Sequence, residues 1–108
     1  MKIKRSEKAV QKIVCDFLRS AGHLFWRLNN TGVYRNDLKR YIPVYYGMKG
    51  VPDIIVMTAD RTIAIEIKST IGKLSEEQKL FRGIWAIPSS KREYVVARGI
   101  GDLIDVGL

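Results

Sequence analysis

The residues of this chain best suited to chemistry lie in the run GVPDIIVMTADRTIAIEIKS, from Gly50 to Ser69. Residues 53–58 and 62–68 are β-rich and flank a short polar turn around Ala59, Asp60 and Arg61, a pattern that predicts a hairpin. A turn of two or four residues sets Asp53 directly across from Glu66, whereas a turn of three sets it across from Ile67. In the first register Asp53, Glu66 and Lys68 share one face of the sheet, and Ile63, Ile65 and Ile67 point the other way into the core. Two carboxylates at a strand spacing of about 5 Å repel each other unless something compensates them, and a divalent cation does so naturally. An all-oxygen set of this kind suits Mg²⁺ or Mn²⁺, with the main-chain carbonyl of Ile67 as a further ligand. Lys68 beside such an ion would orient or deprotonate a water and stabilise charge developing on phosphorus. The plainer reading is a surface pair of Glu66 and Lys68, with Asp53 merely opening a strand after Pro52. The conjunction of the two carboxylates and the lysine inside a basic protein favours the catalytic reading.

The charge supplies that context. Nineteen Lys and Arg against eleven Asp and Glu give +8 over 108 residues, and the excess is one-sided. Residues 1–50 hold eleven basic and three acidic residues, while residues 51–108 hold eight of each. A one-sided positive field attracts polyanions, so nucleic acid is the leading partner, with mere solubility the alternative. A lone Cys15 excludes an intramolecular disulfide, and no Cys/His cluster accompanies it to hold a structural zinc. No apolar run approaches the roughly 20 residues of a membrane span, and the N-terminus MKIKRSEK is charged where a signal peptide would be apolar. The expectation is one soluble domain over residues 1–108, in the cytoplasm.

Several elements must position these groups. Ser6 as N-cap, Glu7 in the first turn and the apolar spacing of Val10, Ile13, Val14, Phe17 and Leu18 predict a helix that stops at Gly22. Lys8, Lys12 and Arg19 fall on or near its opposite face. In residues 23–30, Leu24, Trp26 and Leu28 alternate with Phe25, Arg27 and Asn29, which predicts a strand with one face buried. Beyond the turn at Asn29-Asn30-Thr31-Gly32, Tyr34, Tyr41, Tyr45 and Tyr46 interleave with Arg35, Lys39, Arg40 and Lys49. Such a mixture suits stacking on bases and holding of phosphates, and equally a two-stranded excursion whose tyrosines pack. Ser75-Glu76-Glu77-Gln78 is a capping box opening a further helix that ends before Pro88. Its stripe of Leu74, Gln78, Phe81 and Trp85 is expected in the core. Residues 93–98 read as a last strand, followed by a short helix over 102–106.

These residues together resemble a known family. G-x-P-D followed by I-E-I-K is similar to the signature of the PD-(D/E)xK nucleases. The Ser-Glu-opened first helix, Arg27-Leu28-Asn29-Asn30, Lys49 to Asp53, Ile65 to Lys68, and Gly72-Lys73-Leu74-Ser75 leading to Gln78 narrow the resemblance to the VRR-NUC (virus-type replication-repair nuclease) domain, of the stand-alone kind found in phages. Only residues 33–46 match no motif. The resemblance implies an α/β fold with a PD-(D/E)xK, restriction-endonuclease-like core, a mixed central β-sheet flanked by helices. It implies Asp53, Glu66 and the backbone of Ile67 as metal ligands, Lys68 as the catalytic lysine, Glu7 as a glutamate reaching the metal site, and Gln78 as a residue positioning it. Glu7 by position alone is a helix-start charge, and Gln78 by position alone is a cap.

The function so implied is Mg²⁺- or Mn²⁺-dependent hydrolysis of DNA phosphodiester bonds in branched substrates, four-way (Holliday) junctions in particular, without a small-molecule cofactor. Symmetric cutting of a junction needs two active sites, which predicts a homodimer. The DNA-docking set expected is Lys8, Lys12, Arg27, Asn29, Asn30, Arg35, Lys39, Arg40, Lys49 and Lys73. The alternatives are a flap, single-strand or restriction-type nuclease, and a DNA-binding module without catalysis.

Overall fold

The computed structural model describes residues 4–28, 33–42 and 49–108. The first element is α1 (Glu7–Ser20), capped by the Ser6 hydroxyl, which accepts from the Ala9 N–H at 3.1 Å. Its apolar stripe, Val10, Val14 and Leu18, is fully buried. The helix ends at Gly22, whose φ of +76° is the left-handed conformation that closes helix C-termini and that glycine adopts without steric cost.

Four strands form the main sheet: β1 (Leu24–Arg27), β4 (Ile54–Met57), β5 (Thr62–Ile67) and β6 (Arg92–Ala97), adjacent in that order. A separate antiparallel pair, β2 (Val33–Arg35) and β3 (Arg40–Ile42), lies between β1 and β4 in sequence. The two-stranded excursion, one of two readings the sequence allowed between Asn29 and Met48, is thus present over residues 33–42, and Tyr45 and Tyr46 lie outside the described residues. In the main sheet β1–β4 and β4–β5 are antiparallel, while β5–β6 is parallel and is bridged by α2 (Glu76–Trp85). A short α3 (Ile100–Asp105) closes the order. The architecture is therefore mixed α/β, a four-stranded mixed sheet flanked by helices.

The register explains the burial pattern. Phe25, Val56, Ile63 and Ile65 lie on the face that packs on α1 and α3, together with Val95, Ala97 and Leu103. Ile63, Ile65 and Ile67 are buried as their alternation with Glu66 and Lys68 requires. In the first strand the pairing decides which of the two faces is buried. Phe25 turns to the core, whereas Leu24 and Trp26 stay 64% and 42% exposed, because pairing Trp26 with Ile55 and Leu24 with Met57 puts them on the face away from α1. The stripe Leu74, Gln78, Phe81 and Trp85 does face the sheet, but only to half-burial, so α2 covers the sheet without entering the core. Leu80 and Ile84 on its other side are exposed.

Side chains fasten α2 to β6. Trp85 Nε1 donates to the Glu93 carbonyl at 2.8 Å, Arg92 Nε donates back to the Trp85 carbonyl at 2.9 Å, and the Arg92 guanidinium lies over the indole. No helix among the described residues is long and apolar enough to cross a membrane.

Candidate active site

The pairing of Ile54 with Ile65 is the register in which Asp53 falls opposite Glu66, reached through the four-residue turn Thr58 to Arg61. Asp53 stands one residue before β4 and joins β5 in two ways. Its N–H donates to the Ile65 carbonyl at 3.1 Å, and its Oδ2 accepts from the Ile67 N–H at 2.7 Å. Within an extended strand the N–H and C=O of one residue point to the same edge, so the Ile67 carbonyl also looks toward Asp53. The Lys68 N–H points the other way, to the Ala97 carbonyl of β6.

Glu66 is the centre of the arrangement. Only 3% exposed, it accepts from the Gln78 side-chain amide at Oε1, and Lys68 Nζ stands 3.9 Å from the same oxygen. Its Oε2 is buried without a hydrogen-bond partner among the described residues. Burial first, then the neighbouring Asp53 carboxyl, pushes Glu66 up to about 8, with Glu7 adding to the rise and Lys68 opposing it. In the absence of a cation, therefore, this carboxyl holds a proton near neutral pH.

Lys68 is itself 8% exposed, and its Nζ lies 3.9 Å from both Glu66 and Glu7. A buried ammonium flanked by two carboxylates is anchored at a defined place on the sheet face. Glu7 thus meets the site through Lys68, from the first turn of α1, and remains more than half exposed. Gln78 comes from the first turn of α2, where its Oε1 accepts from the Ser75 N–H at 2.8 Å while Ser75 Oγ accepts from the Gln78 N–H.

Two close approaches hold these elements together. Gly50 has φ +79°, and a Cβ there would lie 2.3 Å from the Glu77 carbonyl oxygen, so only glycine lets the Pro52-Asp53 segment lie against the first turn of α2. Arg98, at the end of β6, donates to the carbonyls of Ser69 and Gly72 at 2.7 and 2.6 Å and pins the loop that leaves Lys68.

The expected docking residues divide. A groove of about 400 Å³ between α1 and β1 gathers Lys8, Lys12, Arg19 and Arg27 around Cys15 and Phe25. At its Arg27 end the chain adjoins the segment before β4, where the Leu28 N–H donates to the Asp53 carbonyl at 2.8 Å. Lys12 is ion-paired with Asp16 at 2.7 Å, and Arg35 is occupied by Asp37 on the small hairpin. Lys39, Arg40, Lys49 and Lys73 are exposed, and Asn29 and Asn30 lie outside the described residues.

Sequence reasoning missed Tyr94, whose buried hydroxyl sits on the Glu66 face of β6, and Arg98. Neither carries a local signal, because each is brought to the site only by the parallel pairing of β5 with β6. Arg19, which the sequence placed on the basic side of α1, and Phe25 also line the groove.

As for a metal, the set of donors fits a hard divalent ion: two carboxylates on one face, the Ile67 carbonyl beside them, and a buried carboxylate oxygen with no donor. Among the described residues, no three His, Cys, Asp or Glu side chains form a ready-made cage, so water or phosphate oxygens would complete the shell, as Mg²⁺ commonly requires. No family model, curated protein or solved structure matches the chain.

Proposed function

We propose that this chain is a divalent-metal-dependent DNA endonuclease of the PD-(D/E)xK type, similar to stand-alone VRR-NUC domains, that acts on branched DNA as a homodimer. One observation carries the reading: the buried Glu66 carboxyl, backed by Asp53, Lys68, Gln78 and Glu7, which come from four separate parts of the chain. A purely structural strand pair has no need of five polar groups converging on one half-buried face.

Asp53 and Glu66 would hold Mg²⁺ or Mn²⁺, together with the Ile67 carbonyl. The ion would supply positive charge against the attacked phosphate and against the departing 3′ oxygen. Gln78 restrains Glu66 by holding one of its two oxygens, and the Ile67 N–H restrains Asp53 in the same manner. Lys68, fixed between Glu7 and Glu66, presents its ammonium to a water or a phosphate oxygen at the same face. Hydrolysis adds the oxygen of water to phosphorus and breaks the bond to the 3′ oxygen; the attacking water gives up a proton at this face, and the departing 3′ oxygen takes one from solvent to become a hydroxyl. The groove of Lys8, Lys12, Arg19 and Arg27 is the surface that holds the phosphates of the flanking strand.

The test is a cleavage panel of four-way junction, flap, single-strand and plain duplex DNA with Mg²⁺ or Mn²⁺ at stated salt, together with Asp53→Asn and Glu66→Gln. The expected outcome is fastest cutting of the junction, and cleavage abolished in both variants with DNA affinity retained. Metal-dependent cleavage surviving both substitutions refutes the active site. Binding without cleavage by the unaltered chain makes it a DNA-binding module, and preference for another substrate reassigns the substrate alone. Sedimentation of the free protein decides the homodimer.

A further inference from the structure

Tyr94 is the second buried oxygen of this region that lacks a partner. Its hydroxyl, like Glu66 Oε2, is shut off from solvent with no hydrogen bond among the described residues. An unpaired buried polar oxygen is costly, so two of them in one compartment call for an explanation.

Register places them together. Tyr94 pairs with Ala64 on β5, and Glu66 lies two residues further along the same face. The small Ala64 leaves room for the tyrosine ring on the sheet, and Phe81 of α2 closes over it, with ring centroids 6.4 Å apart. One turn before Phe81, Gln78 already holds Glu66 Oε1. The hydroxyl feels the Glu66 carboxylate first, after its own burial, and then Arg82 and Asp53, which places it within the electrostatic reach of the acidic pair.

We propose that Tyr94 is a positioning residue of the carboxylate site: across one bridging water its hydroxyl supplies the donor that Glu66 Oε2 lacks, and so orients that carboxylate for a divalent cation. The proposal rests on the metal-dependent reading above. Gln78 and Tyr94 then restrain the two oxygens of Glu66 from opposite sides, as outer partners of metal ligands commonly do.

The experiment measures Mn²⁺ binding by electron paramagnetic resonance on the full chain, without DNA, for the unaltered protein, Tyr94→Phe, Phe81→Leu and Glu66→Gln. Tyr94→Phe should weaken Mn²⁺ binding by about tenfold, the lower end for loss of an outer partner. Cleavage by this variant should recover its full kcat at correspondingly higher Mn²⁺. Phe81→Leu loosens the same packing but keeps the hydroxyl, and should lower the melting temperature while leaving Mn²⁺ affinity within about twofold. Equal Mn²⁺ affinity in Tyr94→Phe and the unaltered chain overturns the proposal, as does an equal loss in Phe81→Leu, which would assign the effect to packing. Undiminished Mn²⁺ binding in Glu66→Gln overturns the metal site itself, and the role of Tyr94 with it.

Discussion

Gln78 bonds to Glu66 and caps its own helix with the same side-chain amide. Its Oε1 accepts from the Ser75 N–H while its Nε2 donates to Glu66 Oε1. The capping role and the site role, alternatives in the sequence, are two ends of one group. Gln78→Ala should therefore lose both. Loss of the cap alone costs about 1 kcal/mol, which lowers the melting temperature of a domain this size by roughly 4–8 °C. Gln78→Glu keeps the capping acceptor but sets a carboxylate against Glu66, so it should hold the helix and weaken cleavage. Comparing the two by thermal melting and cleavage rate separates the functions; unaltered cleavage in Gln78→Glu would show that only the cap matters.

The elevated Glu66 makes metal-free stability depend on pH in an uncommon direction. An ordinary carboxyl titrates near 4.5, whereas in the folded protein Glu66 titrates near 8. Between those values the native state binds more protons than the unfolded state, so stability is greatest below about pH 4.5 and is lost as pH rises toward 8. The slope from this one group is at most about 1.4 kcal/mol per pH unit. Urea titrations with chelator present, at pH 5.5 and 8, should show the fall, and Glu66→Gln should remove it. Added Mn²⁺ competes with the proton, so its stabilising effect should be larger at pH 8 than at 5.5.

Gly50 should tolerate no side chain. Alanine there meets the Glu77 carbonyl at a separation no real contact adopts and also carries the strained positive φ. Gly50→Ala is expected to cost more than 1 kcal/mol, and to reduce cleavage further than its stability loss explains, because the contact aligns Asp53 with the helix that bears Gln78. Alanine at Gly101, where a Cβ would meet nothing within 4 Å, serves as the control. Similar losses in both variants would refute the alignment role.

Cys15, the chain's single thiol, reports on the basic groove it lines with Lys8, Lys12, Arg19 and Arg27. Burial raises its titration point, so alkylation should be slow at pH 7 and speed up toward higher pH. Bound DNA should slow it severalfold, and salt high enough to release the DNA should restore the rate. Unchanged labelling in the presence of saturating DNA would remove this groove from the interface.

Much of the frame was legible in the sequence because it rests on local rules. Ser6 and Ser75 mark their helices by capping, and alternation along residues 62–67 separates Ile63, Ile65 and Ile67 from Glu66. The turn length left two registers open for Asp53, and the four-residue turn realises the one that sets it opposite Glu66. What escaped depends on distant pairing. Which face of β1 is buried is decided by where β4 receives it, and the alternation of Leu24 and Trp26 with Phe25 reads equally well in both directions. Tyr94 and Arg98 reach the site across about 30 residues of intervening chain, by a parallel register that no local pattern encodes.

The Arg98 clamp on the Ser69 and Gly72 carbonyls sets an order of assembly during synthesis. The hairpin bearing Asp53 and Glu66 emerges from the ribosome about thirty residues before Arg98 and can pair as soon as it is made, since antiparallel neighbours need only a short turn. The loop leaving Lys68 gains its anchor only when the last strand arrives. An incomplete chain therefore carries its acidic pair early and the anchored loop beyond Lys68 late.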